Sequence, residues 1–267
     1  MATPAKRSLG QNFLADPRTA ERIAGALGIS RQAEPVLEIG PGRGAMTRPL
    51  LEAAGRLAVV ELDRELAAAL RGAHGDALVV IEGDVLAMAL REVAPRLGFP
   101  EGTPLAVAGN LPYNISKPVA DKLVRERAAV GRAVLMFQKE VGDRFTSRAG
   151  QEGWGPQAIL VQEAYAVERL FDLPPGAFRP IPRVTSTVTR WTRRPGDPLA
   201  GREQVLRRVL AACFAHRRQT LGRNLRAAFG LERAAALAEA AGVDPGVRAE
   251  DLPAGAFLAM AAFLEEV

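Results

Sequence analysis

The sequence predicts an α/β protein: a mostly parallel, Rossmann-like sheet with helices on its faces, followed by a small all-α region. Three observations carry this expectation. Short apolar runs bounded by turn residues recur through the first two thirds of the chain, as buried parallel strands require. The first of them leads into a glycine-rich turn, Gly40-Pro41-Gly42-Arg43-Gly44-Ala45, and then a helical stretch. Beyond Arg193-Arg194-Pro195-Gly196-Asp197-Pro198 the pattern becomes helical throughout, so two domains are expected, 1–194 and 195–267.

The elements follow in order. Residues 1–10 read as a polar arm carrying Lys6 and Arg7. Gly10-Gln11-Asn12-Phe13-Leu14 sets amide side chains beside two large apolar ones. Asp16-Pro17 then starts a helix running to about Leu27, with proline in its first turn. The amide-rich segment is either a lid over a ligand or a capped helix entry. Val36-Leu37-Glu38-Ile39-Gly40 is a buried strand, and the glycines after it permit a tight turn and close backbone approach to a ligand. That turn satisfies both the relaxed dinucleotide fingerprint and the G-x-G-x-G turn of S-adenosylmethionine enzymes, so Gly40 and Gly42 are nucleotide-binding candidates without a choice between the two.

The strand Leu57 to Leu62 carries Glu61, 21 residues after Gly40, a spacing at which a carboxylate accepts hydrogen bonds from ribose hydroxyls. A helix from Arg64 to Arg71 leads to a third strand, Ala77 to Glu82, which ends at Gly83-Asp84-Val85. Asp84 at that strand end can accept from an adenine amino group while the Val85 amide donates to the ring. This acid favours S-adenosylmethionine over a nicotinamide cofactor. After a linker from Pro95 to Pro104, the strand Leu105 to Gly109 ends in Asn110-Leu111-Pro112-Tyr113. Asn110 offers a carbonyl acceptor, Pro112 constrains the backbone so that the Leu111 carbonyl can be aimed, and Tyr113 offers a flat ring face. Two acceptors and a stacking surface suit an exocyclic amine on an aromatic base; a plain strand-to-helix turn is the competing reading.

Ser116 is expected to cap the next helix, with Pro118 in its first turn. Arg132 to Gln138 is the fifth strand, Lys139 opens a helix, residues 147–156 form a turn-rich loop, and Pro156 to Glu163 is helical. Tyr165 to Phe171 and Thr185 to Thr192 read as an antiparallel pair of strands. The loop between them, Pro174 to Arg183, is stiffened by proline on both sides of Phe178, an arrangement suited to stacking on a base with Arg179 and Arg183 at phosphates; Phe178 buried as a loop anchor is the competing reading. Helices are expected over 203–215, 219–229, 231–241 and 256–265. Where the first two meet, the segment His216 to Asn224 clusters Arg217, Arg218 and Arg223 as a candidate phosphate-contact patch, with a solvated charged turn as the competing reading.

The composition agrees with this picture. The chain has 267 residues, 48% of them hydrophobic, a net charge of +5 and a pI near 10.0. A basic balance favours a polyanionic partner, nucleic acid before membrane. All but four of its 35 basic residues are arginine, the better residue for bidentate phosphate contacts. Cys213 is the sole cysteine and His74 and His216 stand apart from any carboxylate or thiol cluster, so neither a disulfide framework nor a metal site is expected. No apolar leader or membrane span is visible, and a cytoplasmic location is expected.

Taken together, these residues resemble the KsgA (RsmA) family of ribosomal RNA adenine dimethyltransferases. The resemblance covers nearly the whole chain and rests on Gly10 to Leu14, Glu38 to Gly44, Gly83-Asp84-Val85, Asn110 to Asn114, Gln138 to Val141, Pro175 to Val184 and Phe214 to Arg218 in that order. It implies a seven-stranded methyltransferase sheet with the last strand antiparallel, a helical C-terminal RNA-recognition domain, and S-adenosylmethionine as methyl donor. It further implies dimethylation of N6 on two adjacent adenosines near the 3′ end of 16S rRNA, late in assembly of a 30S-like small-subunit particle; a monomer is expected, although oligomeric state is not written in the sequence. On this reading Asn12, Leu14, Gly40, Gly42, Glu61, Asp84, Val85 and Asn110 hold the cofactor. Asn110, Leu111, Pro112, Tyr113 and Phe178 handle the target base, and Arg144, Arg179, Arg183, Arg217, Arg218 and Arg223 bind RNA. The chain departs from the family's usual residues at Lys117, Trp154 and Gln219. An Erm-type methyltransferase of 23S rRNA shares the catalytic signposts and is the nearest alternative; a non-catalytic RNA-binding assembly factor is another.

Overall fold

The computed structural model describes residues 11–266; the arm at 1–10, with Lys6, Arg7 and Gly10 of the first motif, lies outside the described residues. The chain folds into two compact units. One holds the chain through Gly142 together with Val167–Arg193; the other holds Asp143–Ala166 and the chain from Arg194 onward. This differs from a single division near residue 194: the segment 143–166 leaves the sheet, joins the helices, and returns.

The first unit is built on a seven-stranded sheet and a two-stranded one. The chain runs through β1 (Phe13–Leu14), α1 (Pro17–Ala26), β2 (Val36–Ile39), α2 (Thr47–Ala54), β3 (Leu57–Glu61), α3 (Arg64–His74) and β4 (Leu78–Glu82). It continues through α4 (Val93–Arg96), β5 (Leu105–Asn110), α5 (Ser116–Arg125), β6 (Val130–Gln138) and α6 (Lys139–Thr146). After α7 (Pro156–Ala164), which belongs to the second unit, come β7 (Tyr165–Leu173), β8 (Phe178–Arg179) and β9 (Ser186–Arg193). The large sheet has the order β4-β3-β2-β5-β6-β9-β7. Pairing is parallel from β4 through β6, and β9 runs antiparallel to β6. Strands β7 and β9 are neighbours, as their alternation predicts.

The apolar runs have their physical cause in this order. Every residue of β2 and β3 is buried, as are the first five of β5, because helices cover both faces of a parallel sheet. The edge strand β4 is only partly covered. Ile23 and Leu27 of the α1 region and Leu50 of α2 pack with Val36, Val59, Ala106 and Val134 in one core cluster. Helix α1 starts where Asp16 accepts from the Arg18 and Thr19 amides, with Pro17 in the first turn, as expected. Ser116 departs from expectation: it is the first residue of α5, not its cap, and its hydroxyl donates back to the Pro112 carbonyl at 3.2 Å. The linker expected from Pro95 begins with a short helix, α4.

Strands β3 and β4 lie to one side of β2, while β5 and β6 lie to the other, so the order of strand addition reverses between β2 and β5. A crevice opens there at the carboxyl ends of the strands. Gly40, Glu61, Gly83-Asp84 and Asn110 all stand at those ends.

The second unit contains α7, α8 (Glu203–Cys213), α9 (Leu221–Phe229), α10 (Leu231–Ala240) and α11 (Ala254–Glu266). Leu206, Leu210, Leu225, Leu237, Phe257 and Met260 are buried within it. Trp154 is buried there and donates through Nε1 to the Leu252 carbonyl at 2.9 Å, tying the 147–156 loop to the last helices. Asn224 is buried and donates from Nδ2 to the carbonyls of Cys213 at 2.9 Å and His216 at 3.1 Å, closing the connection between α8 and α9. No helix among the described residues is long and apolar enough to cross a membrane.

Candidate active site

The carboxyl ends of β2, β3, β4 and β5 border an open cleft. Its walls come from four strand ends: Ile39 and Gly40; Val60, Glu61 and Leu62; Gly83, Asp84 and Val85; and Asn110 through Ile115. Gln11, Asn12 and Phe13 complete the lining. The turn after β2 is left-handed at Gly40 (φ 65°) and Gly42 (φ 58°), which side chains other than glycine adopt at a cost. A Cβ on Gly40 would meet nothing nearer than Pro112 at 4.0 Å, an ordinary contact, so the backbone conformation and not space is what calls for glycine there.

Glu61 is buried at the end of β3, and its oxygens accept from the Gly42 amide at 3.0 Å and the Asp63 amide at 2.9 Å. Burial raises its pKa against the pull of those two N–H bonds. The carboxylate thus stitches the glycine turn to the next strand, in the wall of the cleft. Asp84 is exposed, and its Oδ1 caps the following turn by accepting from Leu86 N at 2.8 Å. At the end of β5, Asn110 Nδ2 donates to the Asn12 carbonyl at 2.9 Å, which fixes the amide so that Oδ1 is left as its acceptor. Leu111 buries its side chain, and the Leu111 amide donates to Met136 O at 3.3 Å, holding the backbone in register. Tyr113 lines the cleft half-exposed, and its Oη is buried without a hydrogen-bond partner among the described residues.

The amide-rich segment proves to cross the cleft. Gln11 Nε2 donates to Asp63 on the β3 side at 3.3 Å, while the Asn12 carbonyl is held from the β5 side by Asn110. Phe13 lies against the Gly42 position, where a Cβ would come within 2.8 Å of the ring, and the Arg43 guanidinium sits 4.4 Å above the same ring. Of the cofactor residues expected from sequence, Asn12, Gly40, Glu61, Asp84, Val85 and Asn110 line the cleft, and Gly42 supports it through Glu61 and Phe13. Leu14 does not line it. The Leu14 side chain is 8% exposed and belongs to the core cluster beneath α1.

Phe178 requires a larger correction. It is 1% exposed, so of its two readings the loop anchor holds and the exposed stacking face does not. Its strand β8 pairs antiparallel with β1, Leu14 opposite Phe178 and Phe13 opposite Arg179, and the ring is drawn into the core beside Leu14. A ring that can bury against an apolar neighbour does so unless the backbone prevents it. Two residues were missed. Leu62 is 54% exposed and lines the cleft next to Glu61, an apolar surface whose only sequence signal was a large aliphatic side chain just past a strand-end acid. Asp63 both caps α3 through the Glu65 amide and receives Gln11, a dual use with no local signature.

The RNA-binding candidates fall in separate places. Arg179 and Arg183 are exposed in the first unit; Arg179 Nη1 turns back onto the carbonyls of Gly176 and Phe178 at 3.1 and 2.8 Å. In the second unit, Arg217 donates to Trp154 O at 3.2 Å and pairs with Glu250, Arg218 and Arg223 are exposed, and Arg144 is half-buried near Gly153. Among the described residues, no group of three or more His, Cys, Asp and Glu side chains converges as a metal site.

Under the glycine turn lies Glu38, fully buried, with Oε2 accepting from Thr47 Oγ1 at 2.6 Å and Oε1 without a partner. Burial, opposed by the Thr47 bond and reinforced by the Glu61 charge, pushes its pKa from 4.5 up to about 8. The folded protein therefore holds a proton that the unfolded chain releases. Glu38 favours folding most below about pH 4.5, and this contribution declines as pH rises toward about 8. Glu38→Gln, which cannot ionise, is expected to gain stability over wild type across that window, by up to roughly 1.4 kcal/mol per pH unit. Denaturant unfolding at pH 5, 6.5 and 8 checks the slope; parallel curves for the two proteins would contradict it.

Sheet order, cleft and strand-end carboxylate define a Rossmann-like methyltransferase. The solved structure "Crystal structure of 23S rRNA methyltransferase ErmE" has a TM-score of 0.72 and 26% identity, covering 95% of this chain and all of that one. A dimethyladenosine transferase from Plasmodium falciparum shares the fold with a TM-score of 0.77 at 23% identity, covering 95% and 98%. The family model described as Ribosomal RNA adenine dimethylase matches residues 2–266, and the chain belongs to that family. Its curated relatives include proteins named "Ribosomal RNA small subunit methyltransferase A". The one from Acidobacterium capsulatum is 43% identical over 98% of this chain and 92% of its own; that from Aromatoleum aromaticum is 40% identical over 97% and 94%.

Proposed function

We propose that this protein transfers methyl groups from S-adenosylmethionine to N6 of two adjacent adenosines near the 3′ end of 16S rRNA, acting on a 30S-like particle during small-subunit biogenesis. The observation that carries the reading is the placement of Asn110 to Tyr113 on one wall of a cleft whose other walls are the Gly40 turn, Glu61 and Asp84. The relatives named for the small subunit, at 40–43% identity over nearly the whole chain, favour that substrate over the large-subunit RNA named for ErmE at 26%.

The residues present fit the cofactor. The left-handed Gly40 turn brings bare backbone to the cleft wall, Glu61 is fixed there by the Gly42 and Asp63 amides, and the exposed Leu62 offers an apolar face beside it. When bound, the cofactor supplies an electrophilic methyl on a sulfonium. Glu61 would hold the ribose hydroxyls, Asp84 and the Val85 amide the adenine, and Asn12 and Asn110 the side nearest β5. Asn110 Oδ1 and the Leu111 carbonyl would accept the two N–H bonds of the target amine, favouring a pyramidal nitrogen with its lone pair toward the methyl. No strong base is required, because the amine turns acidic only on methylation. Tyr113 would stack on the extruded base. The helical unit, through Arg217, Arg218, Arg223 and Arg144, would hold RNA phosphates, with the protein acting as a cytoplasmic monomer.

Because Tyr113 Oη has no hydrogen-bond partner among the described residues, Tyr113→Phe is expected to keep most of the activity. Tyr113→Ala should lose roughly 10- to 100-fold, the worth of one base–aromatic stack. Equal single-turnover rates for the two variants would remove the ring from the mechanism. The function itself is tested by incubating the protein with tritiated S-adenosylmethionine and either undermethylated small-subunit particles or 23S rRNA, then mapping the label. Label on paired 16S adenosines supports the proposal. Label confined to 23S rRNA establishes the Erm-type reading, and no label on either supports a binding role without catalysis.

A further inference from the structure

The loop between β8 and β9 lost its expected aromatic to the core but presents another apolar group. Ile181 is 61% exposed and Val184 is 39% exposed, while Pro182 between them is buried. A single exposed isoleucine is ordinary on a protein surface. This one stands apart for three reasons. The loop is held at both ends: at Arg179 by pairing with Phe13 and by its own bonds to Gly176 and Phe178, and at Thr185 by its carbonyl accepting from Lys139 N at 2.9 Å. Its position is defined, because Phe13 lines the cleft and Arg179 sits opposite it, about 5 Å away across the strand pair. Its surroundings are basic, since exposed Arg179 and Arg183 flank it and Arg183 makes no hydrogen bond or ion pair among the described residues. Of the four large apolar side chains exposed among the described residues, two belong to this loop and a third, Leu62, lines the cleft.

Resting on the function proposed above, we propose that Ile181 is an RNA wedge. It enters the base stack beside the target adenosine and occupies the space the extruded base leaves, while Arg183 holds an adjacent phosphate. Apolar side chains at stiff basic tips serve this purpose elsewhere in nucleic-acid recognition, where insertion offsets the cost of unstacking. Extruding a base from a stacked strand costs unstacking energy and leaves two base faces without a neighbour, which an inserted apolar side chain would cover. The buried Phe178 cannot fill it. Ile181 follows two residues after Arg179, whose partner Phe13 forms part of the cleft wall. Ile181 is thus a positioning residue, acting on the RNA and not on the reacting atoms.

The test uses the full-length protein and small-subunit particles whose 16S rRNA carries 2-aminopurine, which fluoresces when unstacked, at one target adenosine. Wild type is expected to raise the fluorescence. Ile181→Ala should abolish most of that rise and slow single-turnover methylation of unmodified particles by about 10-fold or more, the scale of lost unstacking energy. Ile181→Leu should restore both, and calorimetric affinity for S-adenosylmethionine should be the same in all three proteins. On RNA lacking the base next to the target, which needs no wedge, Ile181→Ala and wild type should converge. A wild-type fluorescence rise and rate in Ile181→Ala, or a defect of equal size on the abasic RNA, would overturn the wedge. Wild type that binds the cofactor yet neither labels nor unstacks 16S rRNA would overturn the underlying function as well.

Discussion

Replacing Asn110 by alanine is expected to cut methyl transfer by roughly 10²–10³-fold, the usual loss when one pre-placed transition-state hydrogen bond is removed. Affinity for S-adenosylmethionine should change by only a modest factor, because the Gly40 turn, Glu61 and Asp84 are untouched. The substitution removes Oδ1, the acceptor proposed for the target amine. It also frees the Asn12 carbonyl, now held by Nδ2 at 2.9 Å, and so loosens the segment that crosses the cleft. A second variant separates the two losses. Asn110→Asp retains an acceptor but cannot donate to Asn12, so its cofactor affinity reports the tether while its rate reports the acceptor. Single-turnover rates and calorimetry on both variants are the measurements. An Asn110→Ala protein with wild-type rate would discard the amide from the mechanism.

The second large effect concerns stability, at a glycine that lies far from any turn. Gly142 sits within α6 where the helix meets β9, and a Cβ there would fall 1.9 Å from Thr187 Cγ2, far inside van der Waals contact. Thr187 is fully buried, and its β-branched side chain has little freedom to turn aside. Gly142→Ala is therefore expected to destabilise the fold by roughly 1–3 kcal/mol through overpacking, despite the better helix propensity of alanine. Thr187→Ser removes the colliding methyl, so the double variant Gly142→Ala, Thr187→Ser should recover much of the loss. Urea unfolding of the four proteins closes the cycle, and strictly additive effects would show that the contact is not the cause.

These two positions illustrate what a linear reading can reach. Asn110 was legible because its signal is local: an apolar strand, then an amide, a proline and an aromatic. Glu61 was legible because its distance from Gly40 is set by one β-α-β crossover, a unit whose length hardly varies. The strands and most helices were legible for the same reason, since burial on both faces of a parallel sheet writes itself as continuous apolar sequence. Gly142 carried no such signal; nothing near it reveals that residue 187 lies against it.

Phe178, Ile181 and the segment 143–166 share that difficulty. Prolines around Phe178 announced a stiff loop but not which side chain it would bury. The pairing of β8 with β1 sets Phe178 opposite Leu14, a residue near the start of the chain, and no local pattern encodes so distant a partner. That pairing turned the aromatic inward and left Ile181 outside. The return of 143–166 to the helical unit likewise depends on distant partners, such as the Leu252 carbonyl that receives Trp154. By itself, then, the sequence determined the sheet, the crevice and the identity of the strand-end groups, because period, spacing and turn chemistry are properties of neighbours along the chain. Tertiary structure alone decided which face of the β8–β9 loop meets solvent, that residues 11–13 cross the cleft, and which helices form the second unit. Those outcomes follow from apolar area and hydrogen-bond partners supplied by residues far away in sequence.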